Sequence, residues 1–409
     1  MSSANRAVAS PANAPFSQPV GFTVDYVDPA IGSPKTFVLT FFPDTRLQMV
    51  HRETGKRFLS KIRVESVTPT DLYIGNTIIV FSRRLSIVDF ADEGTRRYME
   101  SRQAREFVMV LPSAMGALGE IVAAVQNGDG RGGRELERRT RSRGPAVIAN
   151  VGMFRCEGRR YHPEPASSLE DVIPQAGKLV AFEVIVEPRD EGFQELLGVV
   201  DRLREIHGQQ GIFASETPAE AAVHARYVFH EDGLCPAASL GVEGFDVKES
   251  KHRRACTLCV VKPHVVRDGG LGAVLAFVTE RGFQLSGMKM MSLGDAEADE
   301  LLLPYRGVVS YHAEALQHLK SSPCVALQIE GGSDVVEGFR EACGPADPEV
   351  ARELRPDSIR ALLGVQQATN AVHCTDLRGD GLLECRYLFG VSSQNKDQHS
   401  HASTTPSCY

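Results

Sequence analysis

The chain has 409 residues, 42% hydrophobic and 24% charged, with a formal charge of −7. At about 150 residues per domain this predicts two or three soluble globular domains, and the acidic balance argues against broad nucleic-acid binding, which shows as a basic excess. No window approaches the ~18 apolar residues of a membrane-spanning helix. Residues 1–19 carry one Arg and no apolar core, so they read as a flexible Pro-, Ala- and Ser-rich arm and not as a secretory signal.

From residue 20 to 105 the pattern is that of strands: FTVDYV, TFVLTFF, LQMV, YIGNTIIVF and LSIVDF alternate in polarity, with turn residues between them. This predicts an all-β domain, a small barrel or sandwich, with no paired carboxylates and histidine, phosphate-binding glycine loop or metal-ligand cluster. Docking is the expected role of such a unit. An internal repeat follows. EFVMVLPSAMGALGEIVAAV matches ACTLCVVKPHVVRDGGLGAVLAFV, VAFEVIVEPRDEGFQELLG matches VALQIEGGSDVVEGFREACG, and HARYVF matches ECRYLF. Two copies of one α+β domain are therefore expected, at 106–245 and 253–390. Each is ferredoxin-like, with helices on one face of an antiparallel sheet and a pocket made by helix ends and loops. The first copy is interrupted at 128–144 by a stretch with arginines at 131, 134, 138, 139, 141 and 143. That stretch reads either as a solvated loop or as a clamp for an acidic partner. A polar tail occupies 391–409. The nine cysteines are scattered, and the lone C-x-x-C of Cys256 and Cys259 lies in an apolar run with no second ligand pair, so it reads as buried strand thiols.

The chemistry concentrates in the second copy. Lys262 sits where Pro263 ends a strand, a position that presents an ammonium at the sheet edge. In SIRALLGVQQATNAVHCTD, Arg360 lies ten positions before Asn370, and His373 follows Asn370 by three. Glu384, placed on the last strand, can hold one nitrogen of a nucleophilic imidazole so that the other points its lone pair at phosphorus. Arg340 and Arg360 can clamp phosphate oxygens.

These residues resemble the nucleoside diphosphate kinase family, whose N-x-x-H-G-S-D motif appears here as N-A-V-H-C-T-D. The resemblance implies that His373 is transiently phosphorylated and that Glu384 orients it. Lys262, Arg340 and Arg360 would bind phosphates, Asn370 the ribose, and Tyr305 would belong to the pocket. Mg²⁺ would act on the nucleotide's phosphates, with no ligand supplied directly by the protein. The family's R-P-F-F segment, with its base-stacking ring, has no counterpart in YRGVVSYHAEAL, and Cys374 and Thr375 replace Gly and Ser. In the first copy Leu111, Gln194, Phe213 and His224 stand where the second has Lys262, Arg340, His373 and Glu384, which makes the first a silent copy. Separately, YIGNTIIVFSRRLSIVDFAD, with FFPD and GKRFLSK, is similar to a small domain found repeatedly in proteins of ciliary doublet microtubules. That likeness implies a microtubule inner protein with tubulin and axonemal partners, in the cytoskeleton of the cytoplasm and the cilium axoneme. An active kinase in the second copy is the alternative. Binding of membrane or nucleic acid is not expected.

Overall fold

Two sheets organise the chain in the computed structural model. It describes residues 16–27, 34–64, 67–81, 83–127, 146–157, 169, 172–174, 176–229, 234–236 and 255–390. The arginine-rich stretch 128–144 and the tail 391–409 lie outside the described residues.

The first sheet contains β1 (Val20–Val27), β2 (Pro34–Phe41), β3 (Arg46–His51), β4 (Arg57–Arg63), β5 (Thr77–Val80) and β6 (Arg83–Phe90), in the order β4-β3-β2-β1-β6-β5. Period-two alternation turns Phe22, Val24, Leu39, Phe41, Leu47 and Met49 to one face. Among the described residues the sheet stays open, with β4 and β5 at its edges, and does not form the expected closed barrel or two-sheet sandwich. Its core is covered instead by Leu72, by Phe16 and by Met99 of helix α1 (Glu93–Arg102). Asp92 caps that helix by accepting the Thr95 N–H at 2.7 Å. Phe16, assigned by sequence to a flexible arm, is buried with its ring centroid 5.6 Å from that of Phe41.

The second sheet runs through both copies. The first copy supplies β7 (Ala104–Val110), β8 (Ala146–Glu157), β9 (Ala176–Val186) and β10 (Ile212–Ala214), with β11 (Cys235–Pro236) pairing on β8. The second supplies β12 (Ala255–Val261), β13 (Gln284–Met291), β14 (Cys324–Gly331) and β15 (Val372–Cys374). The order β10-β7-β9-β8-β13-β14-β12-β15 is one topology written forwards and then in reverse, joined where Gly152 of β8 meets Lys289 of β13. Across that seam α2 (Leu118–Asn127) crosses its repeat equivalent. In the first copy α3 (Arg189–His207) and α4 (Pro218–Phe229) follow, and the second opens with α5 (Pro263–Arg267) and α6 (Leu271–Glu280), the partner of α2. A Cβ on Gly119 would stand 2.3 Å from Ala276 N, and one on Gly272 would stand 2.4 Å from Ala123 N. Only glycine at both positions lets the two backbones touch, so the copies pack as a symmetric pair.

The remaining helices of the second copy are α7 (Asp295–Leu301), α8 (His312–Leu319), α9 (Val335–Cys343), α10 (Pro348–Leu354), α11 (Ile359–Leu363) and α12 (Gly381–Gly390). They cover both faces of the sheet, where the sequence suggested one. Leu258 and Val260 of β12 face a core with α7, α8 and α12, while Cys259 and Val261 face a core with α6 and α9. Cys256 and Cys259 fall in opposite cores, so they cannot share a metal and are buried strand thiols. HARYVF and ECRYLF, read as terminal strands, are helical: Cys385 and Leu388 are buried three apart, the spacing of one helix face. The first sheet is tied to this body by Arg84, which donates to Leu293 O, and by Arg105, which donates to Ile74 O at 3.0 Å and to Glu183 at 2.8 Å.

Candidate active site

The side chains singled out in the second copy converge at the end of β12 and β15. His373 pairs with Val260 in the middle of β15 and is 5% exposed. The chain enters β15 through Ala371, held in the left-handed region at φ 72°, whose carbonyl accepts the Lys262 N–H at 2.9 Å. A non-glycine residue in that region stores strain, a feature concentrated at working sites. Glu384, expected on a strand, lies on the first turn of α12. Its Oε2 stands 3.9 Å from His373 Nε2 and accepts the Thr375 hydroxyl at 2.7 Å. His373 Nε2 has no hydrogen-bond partner. The carboxylate is thus fixed by Thr375 at slightly more than hydrogen-bond distance from the ring.

Three cations are anchored along the segment that carries this ring. Lys262 is 5% exposed and its Nζ donates to Ala368 O at 2.9 Å. Burial pulls its ammonium down to about 7, with the Arg360 charge acting in the same direction. Arg360 is also buried, and it donates from NH1 to Gly344 O at 2.7 Å and from NH2 to Val372 O at 3.3 Å. Arg360 Nε and Asn370 Oδ1 are buried without partners. Asn370 Nδ2 donates to Ala346 O at 2.9 Å. Arg340, more than half exposed, pairs with Asp376 at 3.2 Å. Tyr305 donates to Asp376 as well, and its ring stands nearly perpendicular to the His373 ring at 6.3 Å. Burial, then the hydrogen bond to Asp376, pushes the Tyr305 phenol up and keeps it neutral.

The seven residues singled out by sequence, His373 among them, are therefore gathered along β15 and the segments that flank it. Thr375 and Asp376 were left without roles there, although they link Glu384, Tyr305 and Arg340 to the strand that carries His373. The available signal was the H-x-x-D spacing of HCTD.

The first copy repeats the frame with other side chains. Leu111 N–H donates to Gly211 O at 2.9 Å, as Lys262 N–H does to Ala371 O. Phe213 pairs with Met109 where His373 pairs with Val260. Ser215 and His224 meet at 2.7 Å, in the place of Thr375 and Glu384. The Phe213 ring packs 5.4 Å from that of His224 and 6.5 Å from that of Phe107. An aromatic cluster occupies the volume that the second copy gives to its imidazole.

The repeated ferredoxin-like sheet thus carries, on β15 of its second copy, a buried imidazole faced by a carboxylate. Residues 255–393 match the family profile "Nucleoside diphosphate kinase". Along nearly its whole length the chain is similar to "Nucleoside diphosphate kinase homolog 7" of Rattus norvegicus, at 32% identity over 92% of this chain and 94% of that one. The Mus musculus protein of the same name is 31% identical over 94% of this chain and 96% of its own. The nucleoside diphosphate kinase of Aquifex aeolicus is 34% identical over 32% of this chain and 92% of its own. The chain belongs to the nucleoside diphosphate kinase family.

Proposed function

We propose that the second copy transfers a terminal phosphoryl group between nucleotides through His373, and that the first copy is catalytically silent. The observation that carries this reading is the Thr375–Glu384–His373 alignment, with a fixed carboxylate facing Nε2 of a buried imidazole on the strand segment to which Lys262, Arg360 and Arg340 are anchored. Glu384 favours the tautomer with the proton on Nε2, which leaves the lone pair on Nδ1. Nδ1 attacks the terminal phosphorus, an N–P bond forms, and the P–O bond to the departing diphosphate breaks. A second nucleoside diphosphate reverses the step and takes the group.

Lys262 and Arg360 stabilise charge on the phosphate oxygens in a buried site where such contacts are strong. A phosphate arriving beside Lys262 raises the proton affinity of its amine and keeps it charged. The site's carboxylates are already engaged, Asp376 by Tyr305 and Arg340 and Glu384 by Thr375. Among the described residues no cluster of three His, Cys, Asp or Glu side chains could hold a metal. Mg²⁺ carried in on the nucleotide would neutralise further phosphate charge, and Lys262, Arg340 and Arg360 suit the remaining oxygens. The test is steady-state exchange between ATP and a second nucleoside diphosphate. Parallel double-reciprocal lines that vanish in His373→Ala support the reading, and exchange that survives that substitution rules it out.

A second role is favoured by the first sheet. Its β3–β4 hairpin exposes Arg52, Lys56, Arg57, Lys61 and Arg63, a basic face on an acidic chain. Together with the doublet-microtubule likeness of residues 20–105, this supports attachment to acidic tubulin surfaces in the ciliary axoneme. Co-sedimentation of the chain with microtubules should drop in an Arg57→Glu, Arg63→Glu variant. Unchanged sedimentation would remove the hairpin from the contact.

A further inference from the structure

Seven positions after the seam glycines Gly119 and Gly272 stand Gln126 on α2 and Thr279 on α6. The Thr279 hydroxyl donates within its own helix to Leu275 O and Ala276 O, at 3.2 and 3.0 Å. Gln126 is 2% exposed, and its Oε1 is buried without a hydrogen-bond partner. An amide oxygen only accepts, so the carbonyls along a helix cannot satisfy it. Gln126 Oε1 needs a donor from outside α2, and its burial costs about 1–3 kcal/mol while none is present.

Gln126 lines a cavity where three parts of the chain meet. The unit of the first sheet supplies Asp71 and Tyr73, the first copy Ile148 and Ile185, and the second copy Val266 and Met290. The interior gives about 50 Å³ to the centres of water-sized molecules, against roughly 10–15 Å³ for one water. That is room for several waters or for one small ring. The acidic groups of the wall are already engaged: the Asp71 carboxylate accepts the Thr68 N–H and hydroxyl, and Glu187 accepts from Arg102 and Gln103. Arg267, the one guanidinium among the described residues of the wall, is paired with Asp268 at 3.1 Å, so no free cation receives a phosphate here. Burial pushes the Tyr73 phenol up, which keeps it a neutral O–H donor.

We propose that this cavity is a binding site, separate from the proposed phosphotransfer site, for a small uncharged ring that carries an N–H donor beside an acceptor. That edge is shared by nucleobases and aromatic primary amides. The N–H donates to Gln126 Oε1, the acceptor takes the Tyr73 hydroxyl, and Ile148, Ile185, Val266 and Met290 cover the ring. Such a ring touches all three parts of the chain at once, so its binding holds the first sheet against the paired copies. The site does not depend on the chemistry of His373.

Saturation-transfer NMR on the full chain, titrated separately with adenine and with nicotinamide, tests the site. Transfer to the ring protons of at least one is expected, with an affinity about tenfold weaker in Gln126→Leu, the loss of one buried hydrogen bond. That variant removes an unsatisfied atom and should melt no lower than the natural chain, so lost binding is not lost folding. Tyr73→Phe should weaken the same ligand. The ligand should raise the melting temperature of the natural chain more than that of Gln126→Leu. Adenine alone would mark a nucleobase site, and nicotinamide alone an aromatic-amide site. No transfer to either would overturn the proposal and leave a cavity that holds only water. Equal affinity in Gln126→Leu, or displacement of the ligand by ADP, would also overturn it by placing the ligand elsewhere.

Discussion

The two copies share backbone hydrogen bonds at the ends of β7 and β12 and differ in what those bonds present: Leu111, Phe213 and His224 in one, Lys262, His373 and Glu384 in the other. The first copy fills its frame with packed rings and one satisfied Ser–His contact. The second leaves Arg360 Nε, Asn370 Oδ1 and His373 Nε2 buried without partners. An unpartnered buried polar atom costs about 1–3 kcal/mol, so these atoms weaken the second copy until a ligand, or for Nε2 the facing Glu384 carboxylate, comes within hydrogen-bond distance. The comparison teaches that the fold needs the frame and not the cations.

The most severe way to sharpen this contrast is to exchange the two side chains. His373→Phe should abolish phosphorylation of the chain, while Phe213→His in the first copy should gain none, because Leu111 and Gln194 supply no charge to a phosphate. Next comes the seam that makes the copies a pair. Gly119→Val and Gly272→Val should each destabilise the chain by about 3 kcal/mol or more, read by chemical denaturation, since a side chain there meets backbone. Unequal losses would show that the two sides of the seam are not equivalent.

A smaller and more local effect separates the two hydroxyls. Thr375→Val should slow His373 phosphorylation about tenfold to a hundredfold by freeing Glu384, the effect of one hydrogen bond to a charged group. Ser215→Ala should cost only stability, about 1 kcal/mol, with no change in rate. The mildest effect is in pH. Lys262 titrates near 7 in the folded chain against 10.5 when unperturbed. The unfolded state therefore binds more protons between those values, and this residue's contribution to stability rises with pH across that window. Lys262→Met should be more stable than the natural chain near pH 7, with the advantage shrinking toward pH 10.5. ADP affinity should weaken as pH rises above 7, because binding then requires uptake of a proton. A flat profile from pH 7 to 9 would take Lys262 out of the phosphate site.

Much of this contrast was legible in the sequence because it lies in residue types at matching repeat positions. Leu111 for Lys262 and Phe213 for His373 follow from aligning VMVLPS with CVVKPH and counting to the next short strand, and both pairs occupy equivalent bonds in the structure. Glu384 was right as a neighbour of His373 but wrong as a strand residue. LLECRYLFG is apolar enough to suit either element, and only the burial of Cys385 and Leu388 on one side marks a helix. The open first sheet was not legible, because the alternation that builds a strand is the same in a barrel, a sandwich or a single covered sheet.

Mapping acid-labile phosphate on the full chain after a short exposure to ATP and Mg²⁺ tests the central claim most directly. Digestion at alkaline pH followed by mass spectrometry locates the group. The account predicts phosphate on the peptide carrying His373, removed by added nucleoside diphosphate, and none on peptides from the first copy. Phosphate on the first copy, or a correctly folded chain with none on His373, would contradict it.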